Sequence, residues 1–321
     1  MPDRIVVADG LGKAGLEMLR AMKGYEIEET KGKGPDVLQK ALCDAVVLVV
    51  RSETKVTAEM IGQAPRLKVI ARAGMGTDTI DVAEASRRKI PVLTAPGANS
   101  NSVAEYTFTL LLALARKVAG GAASLAAGKW DRKPFEGSEL REKTLGLLGL
   151  GRIGSRVAFI AKGFGMTVIA HDPGVAMEQA QSLGVDLMPL DGVIQRADIL
   201  SLHAKLSTAS RHMLDERRLS LVKKGVLIVN TARGALIDDA ALVKALADGR
   251  VGGAALDVFD PEPLPAESPL RTAPNVLLTP HLAASTLEAQ KRVAVEIASA
   301  IGDALLKHDL SAAVNLEAIS K

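Results

Sequence analysis

Residues Lys143 to Pro173 read KTLGLLGLGRIGSRVAFIAKGFGMTVIAHDP, and the fold of the chain turns on them. Thr144 to Leu148 is a short apolar run, as a buried parallel strand requires. Gly149, Gly151 and Gly154 follow as G-x-G-x-x-G. Ile153, Val157, Ile160 and Phe164 then recur at helical spacing, so a helix opens inside the glycine motif and ends at Gly163 and Gly165. Met166 to Ala170 is a second apolar run, and Asp172 stands just past it. In such a unit the first glycine permits the tight turn, the second leaves room for a pyrophosphate, and the third lets helix pack close to strand. The helix N-terminus, with open N–H groups and a positive dipole end, suits an anion. Asp172 is spaced as a carboxylate that binds a ribose diol.

Working outward, the same alternation fills the chain. Before the motif, strands are expected at Arg4 to Ala8, Ala45 to Val50, Leu67 to Ala71 and Pro91 to Thr94, with helices between them. After it, apolar runs at Ile199 to Leu202, Val226 to Val229, Ala254 to Leu256 and Val276 to Leu278 each end in a polar cluster. This alternation predicts an α/β protein with doubly wound parallel sheets. Pro96 to Ser102 (PGANSNS) reads as a boundary, Val103 to Val118 as one long buried helix, and Gly120 to Gly137 as an extended arm. Leu287 to Lys307 reads as a long closing helix that returns to the first domain.

Composition narrows the function. The 321 residues suit two domains, and 48% hydrophobic with 2% aromatic residues means cores of Ala, Val, Leu and Ile. So few aromatics argue against a stacking platform for single-stranded nucleic acid. Forty basic against 37 acidic residues, a net charge of +3, imply no polyanion partner. Cys43 is the only cysteine, which excludes an internal disulfide and a thiolate metal cluster; with Ala41, Leu42 and Ala45 around it, it is expected in the core. No metal is expected. The N-terminus MPDRIVVADG lacks signal-peptide form and no apolar run is long enough to span a bilayer, so a cytoplasmic setting without membrane contact is expected.

The ends of strands are where an open α/β sheet binds ligands. There stand Arg233 in NTARGALID, Glu262 in LDVFDPEP and His281 in LLTPHLAAST, with Arg51, Ser52 and Arg72 in the first domain. Histidine carries protons near neutral pH, a carboxylate beside it orients the ring and favours the imidazolium, and an arginine can hold a carboxylate by two parallel bonds. Beside a dinucleotide motif, these residues point to hydride transfer at a 2-hydroxy or 2-oxo acid. His171, His203, His212 and His308 are given no catalytic role.

GLGRIG with HDP, then NTARG, ALDVFDPEP and TPHLAAST, resemble the D-2-hydroxyacid dehydrogenases over essentially the whole chain. VVRSETKVT, RAGMGTDTIDV and GKWDRKPFEGSEL are most similar to the members that oxidise D-3-phosphoglycerate with NAD, the first step of serine biosynthesis. The resemblance implies a Rossmann NAD domain, residues 99–284, inserted in a flavodoxin-like substrate domain of residues 1–98 and 285–321. It implies Arg233 on the substrate carboxylate and carbonyl oxygen, Glu262 on His281, and His281 as the proton carrier. The implied cofactor residues are Gly149, Gly151, Arg152, Ile153, Gly154, Asp172, His203, Thr231 and Asp257. The implied substrate residues are Arg51, Ser52, Arg72, the Gly74-Met75-Gly76 backbone, Asn99 and Arg132. It also implies a homodimer built on the NAD domain, the arm reaching the partner; pairing of dimers into tetramers stays open. Lys205 departs from the family, which usually has proline there. Neighbouring readings are a hydroxypyruvate or glyoxylate reductase, a dehydrogenase of sulfonate-bearing acids, and an NAD-sensing corepressor-like protein.

Overall fold

The computed structural model describes residues 2–320. The chain divides into two compact units, one running to Asn99 and resuming at Ser285, the other Ser100–Ala284.

The first unit holds strands β1 (Asp3–Val7), β2 (Tyr25–Glu29), β3 (Ala45–Val50), β4 (Val69–Arg72) and β5 (Val92–Leu93), all parallel, in the order β2-β1-β3-β4-β5. That is the flavodoxin-like order. Every residue of β3 (AVVLVV) is buried, which is why it reads as an unbroken apolar run: helices cover both faces of a parallel sheet. Val47, Val49 and Ala71 join one core with Ile297 and Ile301 of the Leu287–Leu306 helix, and Leu48, Val50 and Ile70 join the other. A Cβ on Gly15, in the Lys13–Arg20 helix, would overlap the Ala294 backbone, so these two helices meet main chain to main chain. Asn315 ties the returning segment to the sheet edge. Its Oδ1 accepts from Val92 N at 2.9 Å, and its Nδ2 donates to Ile90 O at 2.9 Å and Ser86 Oγ at 3.0 Å.

The second unit holds β6 (Thr144–Leu148), β7 (Thr167–His171), β8 (Asp186–Leu187), β9 (Ile199–Leu202), β10 (Val226–Asn230), β11 (Val251–Leu256) and β12 (Val276–Leu278), in the order β12-β11-β10-β9-β6-β7-β8. The pairs are parallel, and the order reverses between β6 and β9. This is the doubly wound dinucleotide-binding arrangement, with its switch point at the glycine motif.

Two expectations are corrected. The helix expected over Val103 to Val118 is two helices, Ser100–Ala115 and Val118–Ala126, parted at Lys117, whose φ is 51°. The arm is therefore helical at its start, as its Ala-rich sequence favours, and it ends in a 3₁₀ turn at Lys133–Phe135. A Cβ on Gly137 would lie 2.5 Å from Ala115 O, so glycine is what lets the returning chain cross the first helix's end. Cys43 is exposed, not in the core. Ala41 and Leu42 occupy the buried face of the Pro35–Leu42 helix, and the next residue turns outward. No single helix among the described residues is long and apolar enough to cross a membrane.

Candidate active site

The carboxyl ends of β6 and β7 build a cradle. Gly149 has φ 104°, and a Cβ there would lie 2.6 Å from the His203 carbonyl carbon and 2.7 Å from Ala204 N. A Cβ on Gly154 would overlap Gly149 O. Both glycines are thus required by backbone approach. Gly151 caps the Arg152–Gly163 helix with no side-chain bond and has open space where a Cβ would stand, the opening a pyrophosphate needs. Arg152 is exposed and Ile153 half-buried at that helix start. Asp172 is fixed by two backbone donors, Leu150 N to Oδ2 at 2.8 Å and Gly174 N to Oδ1 at 2.9 Å.

Just past β9, His203 Nε2 lies 2.8 Å from Ser201 Oγ, and its Nδ1 is enclosed with no partner among the described residues. Burial pushes its pKa down to about 3, so the ring is neutral near physiological pH. An enclosed orphan nitrogen beside the glycine cradle fits a site completed by a bound molecule.

Beyond it, the ends of β10, β11 and β12 present Arg233, Glu262 and His281. Asn230, 1% exposed, accepts from Ala232 N at 3.0 Å and donates to Arg233 O at 2.8 Å. It thereby shapes the turn that offers the half-buried Arg233, whose Nη1 donates to Ala232 O at 2.5 Å. A Cβ on Gly234 would overlap the Phe259 backbone, so the Arg233 turn and the Glu262 loop are in main-chain contact. Glu262 Oε1 accepts from Phe259 N at 3.0 Å, and Oε2 lies 2.8 Å from His281 Nδ1. Burial raises the Glu262 pKa, but the His281 hydrogen bond, the Phe259 N–H and the charges of His281 and Arg233 outweigh it and leave it below the ordinary glutamate value. An ionised carboxylate only accepts, so Nδ1 carries a proton and Nε2 is left as the position for proton transfer.

His281 has φ 55°, an uncommon conformation for a residue with a side chain. Its N–H donates to Asp257 O at 2.9 Å and Thr279 O at 3.0 Å. The fully buried Asp257 carboxylate accepts from Thr279 Oγ1 at 2.6 Å, Leu282 N at 2.8 Å and Ala283 N at 2.8 Å. The loop is thus wrapped around one acid. Thr231 is 7% exposed at the end of β10.

The other sequence-derived residues lie on the first unit, except Arg132, which is exposed beside the Lys133–Phe135 turn. Arg51 N donates to Asp9 Oδ2 at 2.6 Å, and Thr54 N to the same oxygen at 3.1 Å. The buried Asp9 thus anchors the turn that carries half-buried Arg51 and exposed Ser52. Arg72 is engaged by its own loop: Nε donates to Gly76 O at 2.9 Å and Nη1 to Ala73 O at 3.0 Å, bracing Gly74 and the 41% exposed Met75. Asn99 Oδ1 is enclosed with no partner among the described residues. Sequence reasoning gives no role to Asp9 and Ser201, and places Asn230 only in the polar cluster that ends its strand. Their signal is a polar residue at or inside an apolar strand run. Among the described residues no cluster of His, Cys, Asp and Glu could hold a metal ion.

With that geometry in place, known proteins are informative. The family described as D-isomer specific 2-hydroxyacid dehydrogenase, NAD binding domain, matches residues 108–283. D-3-phosphoglycerate dehydrogenase of Methanocaldococcus jannaschii is 47% identical over 299 residues, 93% of this chain and 56% of that protein. Hydroxypyruvate reductase of Thermotoga maritima is 44% identical over 301 residues, 93% of this chain and 97% of that protein. NAD-dependent formate dehydrogenase from Staphylococcus aureus, solved in complex with NAD, superposes with a TM-score of 0.85 at 32% identity, covering 95% of this chain and 96% of that one. The chain spans about half the length of the phosphoglycerate dehydrogenases it matches.

Proposed function

The chain belongs to the D-isomer specific 2-hydroxyacid dehydrogenases, with that family's NAD-binding domain, and from this premise we propose that it oxidises D-3-phosphoglycerate to 3-phosphohydroxypyruvate. The observation that carries the reading is the Glu262–His281 pair, 2.8 Å apart, with the Glu262 loop in backbone contact with the Arg233 turn. NAD, when bound, supplies the acceptor for the C2 hydride. Gly149, Gly151 and Gly154 would admit its pyrophosphate, with Arg152 and Ile153 opening the helix. Asp172 would take its ribose, and His203, Thr231 and Asp257 would line the way to the nicotinamide end.

His281 Nε2 takes the substrate hydroxyl proton, and the ring becomes an imidazolium that the Glu262 carboxylate stabilises. Arg233 offers paired N–H donors to the carboxylate and to the oxygen at C2 as it becomes a carbonyl. On the first unit, Arg51 and Ser52 supply the donors an oxyanion needs. The Gly74-Met75-Gly76 backbone, braced by Arg72, together with Asn99, takes the carboxylate end. The 47% identity to a phosphoglycerate dehydrogenase supports phosphate as the distal group.

A second reading, reduction of hydroxypyruvate, is favoured by the relative of that name, which the chain spans almost completely. Initial rates with 3-phosphoglycerate, D-glycerate and hydroxypyruvate separate the two. A preference of at least about tenfold in kcat/KM for the phosphorylated acid is expected, and equal rates on D-glycerate would leave only the broader dehydrogenase activity.

A homodimer is part of the proposal. The Val118–Ala126 helix buries none of its residues, and Val118, Leu125 and Trp130 are 54%, 59% and 77% exposed. These exposed apolar side chains support an association surface there. Arg132, beside it, is proposed to reach a partner's site.

A further inference from the structure

We propose that Thr107 is a positioning residue of the cofactor site, one that fixes the Thr231 hydroxyl as a hydrogen-bond acceptor facing the nicotinamide end. The inference rests on the dinucleotide reading above and extends it to a residue inside a helix.

Thr107 lies in the Ser100–Ala115 helix and is 1% exposed. Its Oγ1 is 2.8 Å from Val103 O and 2.9 Å from Thr231 Oγ1. Each hydroxyl has one proton. A carbonyl cannot donate, so the bond to Val103 uses the Thr107 proton. In the shared bond Thr231 is then the donor. The reverse order would leave the Thr231 proton without an acceptor in a residue 7% exposed, which is unfavourable. Both protons are satisfied only by the sequence Thr231 to Thr107 to Val103. Thr231 is left with lone pairs alone to present.

Topology says what meets those lone pairs. Asp172 follows β7 and Thr231 follows β10, and the order β7-β6-β9-β10 separates them by three strand spacings, about 14 Å. A dinucleotide whose adenosine ribose lies at Asp172 and whose pyrophosphate lies at Gly151 brings its other end to β10. Besides its ribose hydroxyls, that end carries one further donor, the carboxamide NH₂ on the nicotinamide ring. An acceptor-only Thr231 selects for it, and Thr107 is what keeps Thr231 acceptor-only. Replacing Thr107 by valine keeps the shape, removes the acceptor and frees the Thr231 proton to turn toward the cofactor.

The test is calorimetric binding of NAD and of its 3-acetylpyridine analogue, in which a methyl group replaces the amide NH₂. The readout is the ratio of the two affinities. Wild type should favour NAD. Thr107→Val should lower the ratio about threefold to tenfold, as expected for one neutral hydrogen bond, and Thr107→Ser should preserve it. Thr231→Val, which removes the acceptor itself, should lower it as Thr107→Val does and serves if Thr107→Val does not fold. A ratio within about twofold of wild type in both valine variants overturns the inference, even if both affinities fall together, because that is a packing effect. If wild type binds neither dinucleotide, the cofactor reading itself fails and the inference falls with it.

Discussion

Glu262 grips His281 with one oxygen and its own loop with the other: Oε2 is 2.8 Å from His281 Nδ1, while Oε1 accepts the Phe259 N–H at 3.0 Å. The acid therefore sets the ring's orientation and its tautomer together. His281→Ala should abolish turnover while dinucleotide affinity, followed by titration, stays within about threefold. Parallel loss of both in a folded protein would make His281 a structural residue.

Glu262→Gln keeps the shape but removes the charge that favours an imidazolium. Reduction of the 2-oxo acid needs that imidazolium, so the alkaline limit of the reductive rate should move to lower pH. An unshifted profile would remove Glu262 from the mechanism. The pair also bears on stability. Glu262 has a lowered folded-state pKa, so its contribution is present above the unfolded glutamate value, about 4.5, and is lost as pH falls through the folded value. The difference in Tm between wild type and Glu262→Gln should shrink across that acidic window.

His203 gives a second acid-sensitive element of the same sign. Its folded pKa, about 3, lies well below the ordinary 6.5. Between those values the unfolded chain binds a proton that the folded one does not, so stability falls as pH drops below 6.5. Urea midpoints at pH 7 and pH 4.5 should differ less in His203→Asn than in wild type. An equal loss would mean that the ring is protonated within the fold.

Asp172 should set cofactor choice. Its carboxylate is immobilised by Leu150 N and Gly174 N, so it cannot swing away from a 2′-phosphate. We expect NAD to be favoured over NADP, and Asp172→Ser to narrow the kcat/KM preference by at least about tenfold, since a like-charge contact is removed. Lys205, exposed after β9, is the cation able to offset that repulsion. Comparable efficiency with both cofactors in wild type, lost in Lys205→Ala, would show that it does.

Arg51→Ala should raise KM for 3-phosphoglycerate roughly tenfold to a hundredfold, the usual cost of a truncated charged contact. A 2-hydroxy acid without a distal anion should be much less affected. Because Asp9 holds the Arg51 main chain rather than its side chain, the turn should survive the change. Equal losses for both substrates would take the distal-anion role from Arg51.

Much of this was legible in the chain because backbone geometry and burial leave marks on sequence. The glycines at 149 and 154 are spaced by contacts that no Cβ could enter, and β3 reads as an apolar run because it is covered on both faces. The break at Lys117 was not legible, since a left-handed lysine carries no local signal. Nor was the engagement of Arg72 by Gly76 O and Ala73 O, because a strand-end arginine reads the same whether it braces its loop or meets a ligand. The Asp257 network was hidden for another reason: its partners lie 22 to 26 residues away, joined only when β11 and β12 pair.

The interrupted first unit has a consequence in time. Its sheet is written almost entirely before Asn99, yet its core includes Ile297, Ala298 and Ile301, and Asn315 closes its edge. During synthesis the strands made first must therefore wait, one core uncovered, while all of Ser100–Ala284 emerges and can fold as a unit of its own. Within this chain the strands before Asn99 therefore stay open on one face until the segment after Ser285 arrives, and an uncovered core of that kind is prone to aggregation or proteolysis.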